Sequence, residues 1–404
     1  MFTVQNGISG EEKQALPIHI WLPGLEWIEE GCLQQVRNLS LYPYAVKQVA
    51  LMADVHQGFG MPIGGVMATK EVVVPNAVGV DIGCGVAFCE TKVDMDRLGK
   101  STLEKIVHTA MNRIPQGFSH HKTPRISNCV KAFMKENQEE RCHPKIWSEL
   151  DASFYQIGTL GGGNHFIEFQ QNDEGKLCFM IHSGSRNIGY KIANYFNQIA
   201  QKNRKRWESK VPDKVELDCI PINSDEGQSY IKWMNLARDF ARESRLHMMK
   251  ALWQAFKEKE NLVVEAPILD VHHNDVNRET HDGEILWVHR KGAVKASKEE
   301  KAIIPGAMGM SSYIVKGLAN PMSFESCSHG AGRSMSRKQA KKQFGQQQVA
   351  AKLAEKQVIL GKRKMNDIGE EAPEAYKDIE FVMEQQKDLV LPLQTLSGRV
   401  VIKG

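Results

Sequence analysis

Val72-Val-Val-Pro-Asn-Ala77-Val-Gly-Val80-Asp81-Ile-Gly-Cys84-Gly85 is the stretch on which the fold reading turns. Val72 to Val74 and Ala77 to Val80 are β-branched and apolar at strand length, so they read as buried strands. The second runs into a glycine-flanked turn holding a carboxylate and a thiol, a site built at a strand end. Further strands of the same kind are expected at Leu177 to Ile181, Leu262 to Val271, Glu284 to Val288 and Arg399 to Ile402. From Gly227 to Glu260 the positions Trp233, Ala237, Phe240, Ser244, Met248, Ala251 and Ala255 recur at three or four residues, which is helical spacing. More helices are expected at Leu103 to Arg113, Ile188 to Trp207, Lys338 to Leu360 and Pro373 to Leu389. The fold class is therefore mixed α/β. No repeat or linker divides residues 1–404, so a single domain with a helical excursion at about 188–260 is expected.

At 404 residues, with 42% hydrophobic and 25% charged residues, the composition is that of an ordinary globular protein. A chain of this size buries about three quarters of its unfolded surface, so it needs no disulfides for stability. The eight cysteines form no CxxC pair, which disfavours a zinc ribbon. No apolar run reaches the roughly 18 residues of a membrane span. Met1 to Pro17 carries Glu11, Glu12 and Lys13 in place of a leader's apolar core, so a cytoplasmic protein without membrane association is expected. Net charge is only +4, although Lys202 to Arg206 and Arg337 to Lys342 are basic clusters suited to phosphate.

Glycines crowd the segments 58–92, 158–189 and 305–332, and the reactive residue types crowd with them. Asp81 and Cys84, His165 in Gly161-Gly-Gly-Asn-His165, His182 in His182-Ser-Gly-Ser-Arg186 and His273 in Val271-His-His-Asn274 form five candidate metal ligands at element ends. One carboxylate, one thiol and three imidazoles suit Mn²⁺, Fe²⁺, Co²⁺ or Zn²⁺ better than Mg²⁺ or Ca²⁺. A thiolate bridging two such ions would serve an in-line phosphoryl displacement. His56 and most other histidines lack this glycine framing and read as surface or core. Ser328-His329-Gly-Ala-Gly-Arg333 joins an imidazole to glycine amides and a guanidinium, the parts of a phosphate cradle. His329 is there a ligand, a nucleophile or part of a capping turn. No GxxxxGK[ST] loop and no Lys-x-Asp-Gly element is present, so a covalent nucleotide would need His329.

At these residues the chain resembles the RtcB family of GTP- and manganese-dependent RNA-splicing ligases. The likeness runs through Asp54-Val-His-Gln-Gly58, Gly79 to Gly85, Gly163-Asn-His-Phe-Ile-Glu168, His182 to Arg186, His273-Asn274, Arg290-Lys-Gly-Ala293, Pro305 to Gly309, Ser328 to Arg333 and Val401-Ile-Lys-Gly404. It implies β-sheets around a deep central metal and nucleotide site with peripheral helices. It also implies the joining of an RNA 2′,3′-cyclic phosphate or 3′-phosphate end to a 5′-hydroxyl end, in tRNA splicing or RNA repair.

By the same resemblance, Asp81, Cys84 and His165 hold one Mn²⁺, and Cys84 bridges to a second held by His182 and His273. His329 carries GMP. Asn164, His165, Phe166, Ile167, Glu168, His273, Asn274, Pro305, Gly306, Ala307, Met308, Ser312, Gly330, Ala331, Gly332 and Lys403 bind the GTP-derived nucleotide. Arg186, Lys291 and Arg333 contact phosphate, and Asp54 orients the 5′-hydroxyl. The substrate would be RNA with broken ends, such as tRNA halves, met by a monomer with room for an archease-like or release-factor-like partner. Ala307 stands where the family carries a serine, so one hydroxyl is missing from the nucleotide loop. Two other classes fit the residues alone: a metal-dependent RNA 3′-end hydrolase without guanylylation, and a non-catalytic RNA-binding protein using the basic clusters.

Overall fold

Two large sheets organise the chain in a computed structural model that describes residues 1–5, 7–8 and 14–404. Glu11, Glu12 and Lys13 lie outside the described residues. One sheet has the order Phe2–Val4, Ile18–Ile20, Ala45–His56, Ile63–Thr69, Glu284–Lys291, Asn274–His281. The other runs Ile268–His272, Gly85–Asp94, Lys176–Ser183, Phe166–Asn172, Val390–Lys403, Ser311–Gly317, Lys301–Ile304, with Ile359–Gly361 added in parallel to Val390–Lys403. The architecture is mixed α/β, as the sequence predicts.

Alternation along the second sheet explains how it is covered on both faces. Ala87, Cys89, Ile167, Phe169 and Phe179 pack on the helices Lys100–Arg113 and Asp225–Glu260. Val86, Phe88, Phe166 and Met180 face a separate cluster with Ala340, Val349 and Leu353 of the helices Arg337–Gln343 and Gln346–Glu355. The site forms on that second side. No helix among the described residues is long and apolar enough to cross a membrane.

Several expected elements are shorter or different. Ala77 to Val80 is not a strand: Pro75 supplies the first position of the one-turn helix Pro75–Val78, and Gly79, at φ 91°, ends it. Of Leu262 to Val271, only Ile268–His272 is extended, because Pro267 offers no amide to a ladder. Lys338 to Leu360 breaks at Gly345 into two helices followed by the strand Ile359–Gly361. Pro373 opens a single 3-10 turn, and the helix Ile379–Gln385 begins later, where Asp378 accepts the Glu380 N–H. The helix expected at Ile188 to Trp207 spans Arg186–Lys202.

Candidate active site

Strand register gathers residues that lie far apart in sequence. Gly85 pairs with His272 on one side and with Ser183 on the other, while His182 pairs with Phe166. Neighbouring strands lie about 4.8 Å apart. Cys84, His165, His182 and His273 therefore meet at one end of four consecutive strands. The Asp81 turn closes over them. A Cβ at Gly184 would occupy the position of the Asp81 carboxylate, so only glycine permits that approach.

Asp81 Oδ2 lies 2.9 Å from His165 Nε2. Cys84 Sγ lies 3.5 Å from the same nitrogen and 3.3 Å from His182 Nε2. His182 Nε2 is in turn 3.4 Å from His273 Nε2. The donors form two triplets, Asp81/Cys84/His165 and Cys84/His182/His273, each with its atoms within 4.8 Å of one another.

Burial pushes His182 and His273 well below the usual imidazole range, and the neighbouring imidazoles add to the effect. Both are neutral and carry lone pairs. The His182 Nδ1 lies 3.2 Å from the Asn164 carbonyl, a contact that takes the ring N–H and leaves Nε2 facing the cluster. Burial raises the Asp81 carboxyl, but the hydrogen bond and charge of His165, with Cys84 and Arg186, together outweigh it and hold the group at about 2. Burial raises the Cys84 thiol well above its ordinary value, and Asp81 raises it further. Imidazole nitrogens, a carboxylate and a thiol converging at 2.9 to 3.5 Å fit a divalent cation of borderline softness, whose charge favours the thiolate.

His329 stands beside this cluster, its ring centroid 4.7 Å from that of His273. It follows the short strand Ser326–Ser328, whose Ser328 pairs with Ala293. Its Nδ1 lies 2.6 Å from Asp54 Oδ2, which also accepts the His329 backbone N–H at 3.1 Å. Asp54 sits where the register of Ala45–His56 shifts, a bulge that turns its side chain inward. Next to His329 opens a cavity of about 580 Å³, within the size range of small-ligand sites. On its far wall Glu371 meets Lys403 at 3.1 Å, Arg333 at 3.6 Å, Arg337 at 2.5 Å and the Tyr376 hydroxyl at 2.7 Å.

The family profile described as tRNA-splicing ligase RtcB matches residues 35–404. The RNA-splicing ligase RtcB of Escherichia coli K12 is 36% identical, covering 96% of this chain and 97% of that protein. The RNA-splicing ligase RtcB of Mycobacterium tuberculosis is 32% identical over 92% of this chain and 100% of its own length. The tRNA-splicing ligase RtcB of Methanococcus maripaludis is 29% identical over 100% and 98%. The chain belongs to the RtcB family.

On this RtcB scaffold the cavity wall includes Asn164, Phe166, Glu168, Asn274, Pro305, Gly306, Ala307, Met308, Gly330, Ala331, Gly332 and Lys403, beside Asp81, Cys84, His182, His273 and His329. Lys291 and Arg333 line it too. Burial lifts the Glu168 carboxyl to about 7, giving the wall a group able to accept or donate.

Five expected contacts fall elsewhere, the first being His165, whose ring faces Asp81 and Cys84 and does not line the cavity. Ile167 points into the opposite core, because strand alternation sends Phe166 and Glu168 to the cavity and Ile167 away from it. Ser312 is buried behind the wall, where its hydroxyl accepts the Gly306 N–H at 3.1 Å. Arg186 is held by Thr159 Oγ1 at 3.1 Å and the Gly117 carbonyl at 2.7 Å, outside the lining. Asp54 is fully buried, with its carboxylate on His329 and outside the lining of the cavity.

Other wall residues escaped the sequence reading. His56, without glycine framing in the sequence, lines the cavity, with its imidazole pushed by burial to about 4. Glu371 and Tyr376 sit in a stretch with no glycine cluster and no ligand-type spacing, so nothing local marked them. Arg337 was visible only as the first residue of a basic cluster.

Proposed function

We propose that this chain is an RNA ligase that joins an RNA 3′-phosphate end, or a 2′,3′-cyclic phosphate opened by water, to a 5′-hydroxyl end at the expense of GTP. The observation carrying the reading is the Asp54 carboxylate on His329 Nδ1 at 2.6 Å. With Nδ1–H fixed there, Nε2 is left as the nucleophilic lone pair at the edge of the cavity.

His329 Nε2 attacks the α-phosphorus of GTP, pyrophosphate leaves, and GMP remains on the imidazole while Asp54 stabilises the positive ring. An RNA 3′-phosphate oxygen then takes the guanylyl group from His329. The 5′-hydroxyl attacks the activated 3′-phosphate and displaces GMP, sealing the strand. Manganese ions held by Asp81/Cys84/His165 and by Cys84/His182/His273 would polarise the phosphate oxygens and neutralise their charge. Lys291 and Arg333 offer cations to the remaining phosphate oxygens, and Glu168 and Lys403 offer polar partners to the base. Residues 1–404 act as one catalytic unit, a cytoplasmic monomer on tRNA halves or damaged RNA.

The test is incubation with Mn²⁺ and GTP labelled at the α-phosphate, followed by denaturing electrophoresis. An acid-labile adduct absent with ATP and absent in His329→Ala is the expected result. Labelling that persists in His329→Ala would refute the nucleophile. A metal-loaded protein that opens cyclic phosphate ends yet never takes GMP would be a hydrolase instead.

A further inference from the structure

Phe118 stands wholly in solvent, at 101% relative exposure, on the segment 116–126. The segment around it is braced. Gln116 bridges Leu160 in parallel, the Ser119 N–H donates to the Gln116 carbonyl at 3.1 Å, and the His121 and Arg125 N–H groups donate to the Tyr155 and Phe154 carbonyls at 3.0 and 2.7 Å. A rigid loop thus presents an aromatic face that nothing in the fold uses. Ile126, at 61%, and Tyr155, at 39%, extend the exposed apolar surface.

Its place is the rim of the site. The Gly117 carbonyl accepts Arg186 Nη2 at 2.7 Å, and Gly117 and Gly161 both abut the terminal Gly404. Lys403 and Asn164, a few residues along those same segments, line the cavity.

The charges nearby are free. Lys122 and Arg125 are exposed, and neither is held in an ion pair among the described residues. The basic clusters marked in the sequence are partly neutralised: Arg204 pairs with Asp213 and Asp218, Arg206 with Glu226, Arg337 with Glu371 and Lys341 with Glu370, and their remaining lysines have no exposed aromatic beside them in sequence. An exposed aromatic followed on the same segment by two unpaired cations matches a single nucleic-acid strand, since every base has a π face and every linkage a negative charge.

We infer that Phe118 is a stacking platform for a base of the single-stranded RNA leading to the broken end, with Lys122 and Arg125 holding its phosphates. The inference rests on the RNA-joining reading above and adds to it a seat for the strand outside the reaction cavity.

The experiment uses the full-length, manganese-loaded protein and a single-stranded RNA ending in a 3′-phosphate and carrying 2-aminopurine. Phe118→Ala, which removes no buried contact, is expected to weaken binding about tenfold and to abolish fluorescence quenching of the stacked base. Phe118→Trp should retain both. The double variant Lys122→Ala/Arg125→Ala should flatten the slope of log affinity against log salt by about 1.4. Equal RNA affinity in wild type and Phe118→Ala would overturn the inference and leave the patch to a protein partner. Labelling of His329 by GTP without RNA reads the parent proposal separately. A wild type that takes no GMP, yet loses RNA affinity in Phe118→Ala, would sink the ligase reading and keep this one.

Discussion

Asp54 Oδ2 lies 2.6 Å from His329 Nδ1, and the pair is closed to solvent on the Asp54 side. Burial alone would raise the Asp54 carboxyl, but the imidazole outweighs it and holds the group below the usual carboxylate range. The aspartate is thus ionised when His329 turns cationic. Asp54→Asn keeps the shape and removes the charge, so guanylylation should slow on the order of 100-fold. Bound metal should stay unchanged, because Asp54 belongs to neither donor triplet. Single-turnover labelling beside metal analysis reads both, and loss of metal in Asp54→Asn would show that the residue supports the metal site instead.

Cys84 is shared by the two triplets, whereas His165 belongs to one. Cys84→Ala should therefore abolish high-affinity Mn²⁺ at both positions, while His165→Ala should remove one ion and leave the Cys84/His182/His273 position filled. Electron paramagnetic resonance titration distinguishes the cases. Equal loss in both variants would mean that the positions fill only together.

The cluster of Asp81, Cys84, His165, His182 and His273 was legible as a candidate ligand set because each member sits in a short glycine-framed motif, and sequence order preserves such motifs. What brings them together was not legible. The pairing of Gly85 with both His272 and Ser183 is a register, fixed by which faces of each strand are buried, and no local pattern states it. The same logic misplaced Ile167, which shares a motif with Phe166 and Glu168 but faces the other core. Ala77 to Val80 failed for a different reason: apolar propensity favoured a strand, and Pro75 with Gly79 imposed a helical turn. Glu371 escaped because its role comes from Lys403, Arg333 and Arg337, all distant in sequence.

Arg245 lies fully buried behind the candidate metal ligands, pairing with Asp270 at 2.6 Å and donating to the Gly83 and Ser183 carbonyls at 3.0 and 2.8 Å. Those carbonyls flank Cys84 and His182, so one guanidinium fixes the spacing of two ligand-bearing segments. Arg245→Met would strand a buried carboxylate and two carbonyls. The expected cost is about 3–5 kcal/mol of stability. Arg245→Lys keeps the charge but not the fork, and should lower Mn²⁺ affinity about 10- to 100-fold with a smaller stability loss. Denaturant titration and metal titration together test this; unchanged metal affinity in Arg245→Lys would confine the residue to the core.

Lys291 lines the cavity with its ammonium donating to the Phe59 and Asn76 carbonyls at 2.5 and 3.2 Å. Among the described residues no carboxylate forms an ion pair with it, and burial, only partly offset by the charge of Glu216, lowers it from 10.5 to about 8. Because the folded value lies below the unfolded one, the unfolded chain binds more protons between these two limits. Stability should therefore rise with pH across that window as the cost of a buried cation is relieved, by roughly 3 kcal/mol in full. Activity should move the other way. If the Lys291 cation grips RNA phosphate, the sealing rate should fall about tenfold per pH unit above about 8. Lys291→Arg, whose guanidinium stays protonated, should shift that alkaline limb upward even if its maximal rate is lower. Rate profiles of the two proteins with pre-guanylylated enzyme isolate the step, and an alkaline limb identical in both would assign the titration to another group.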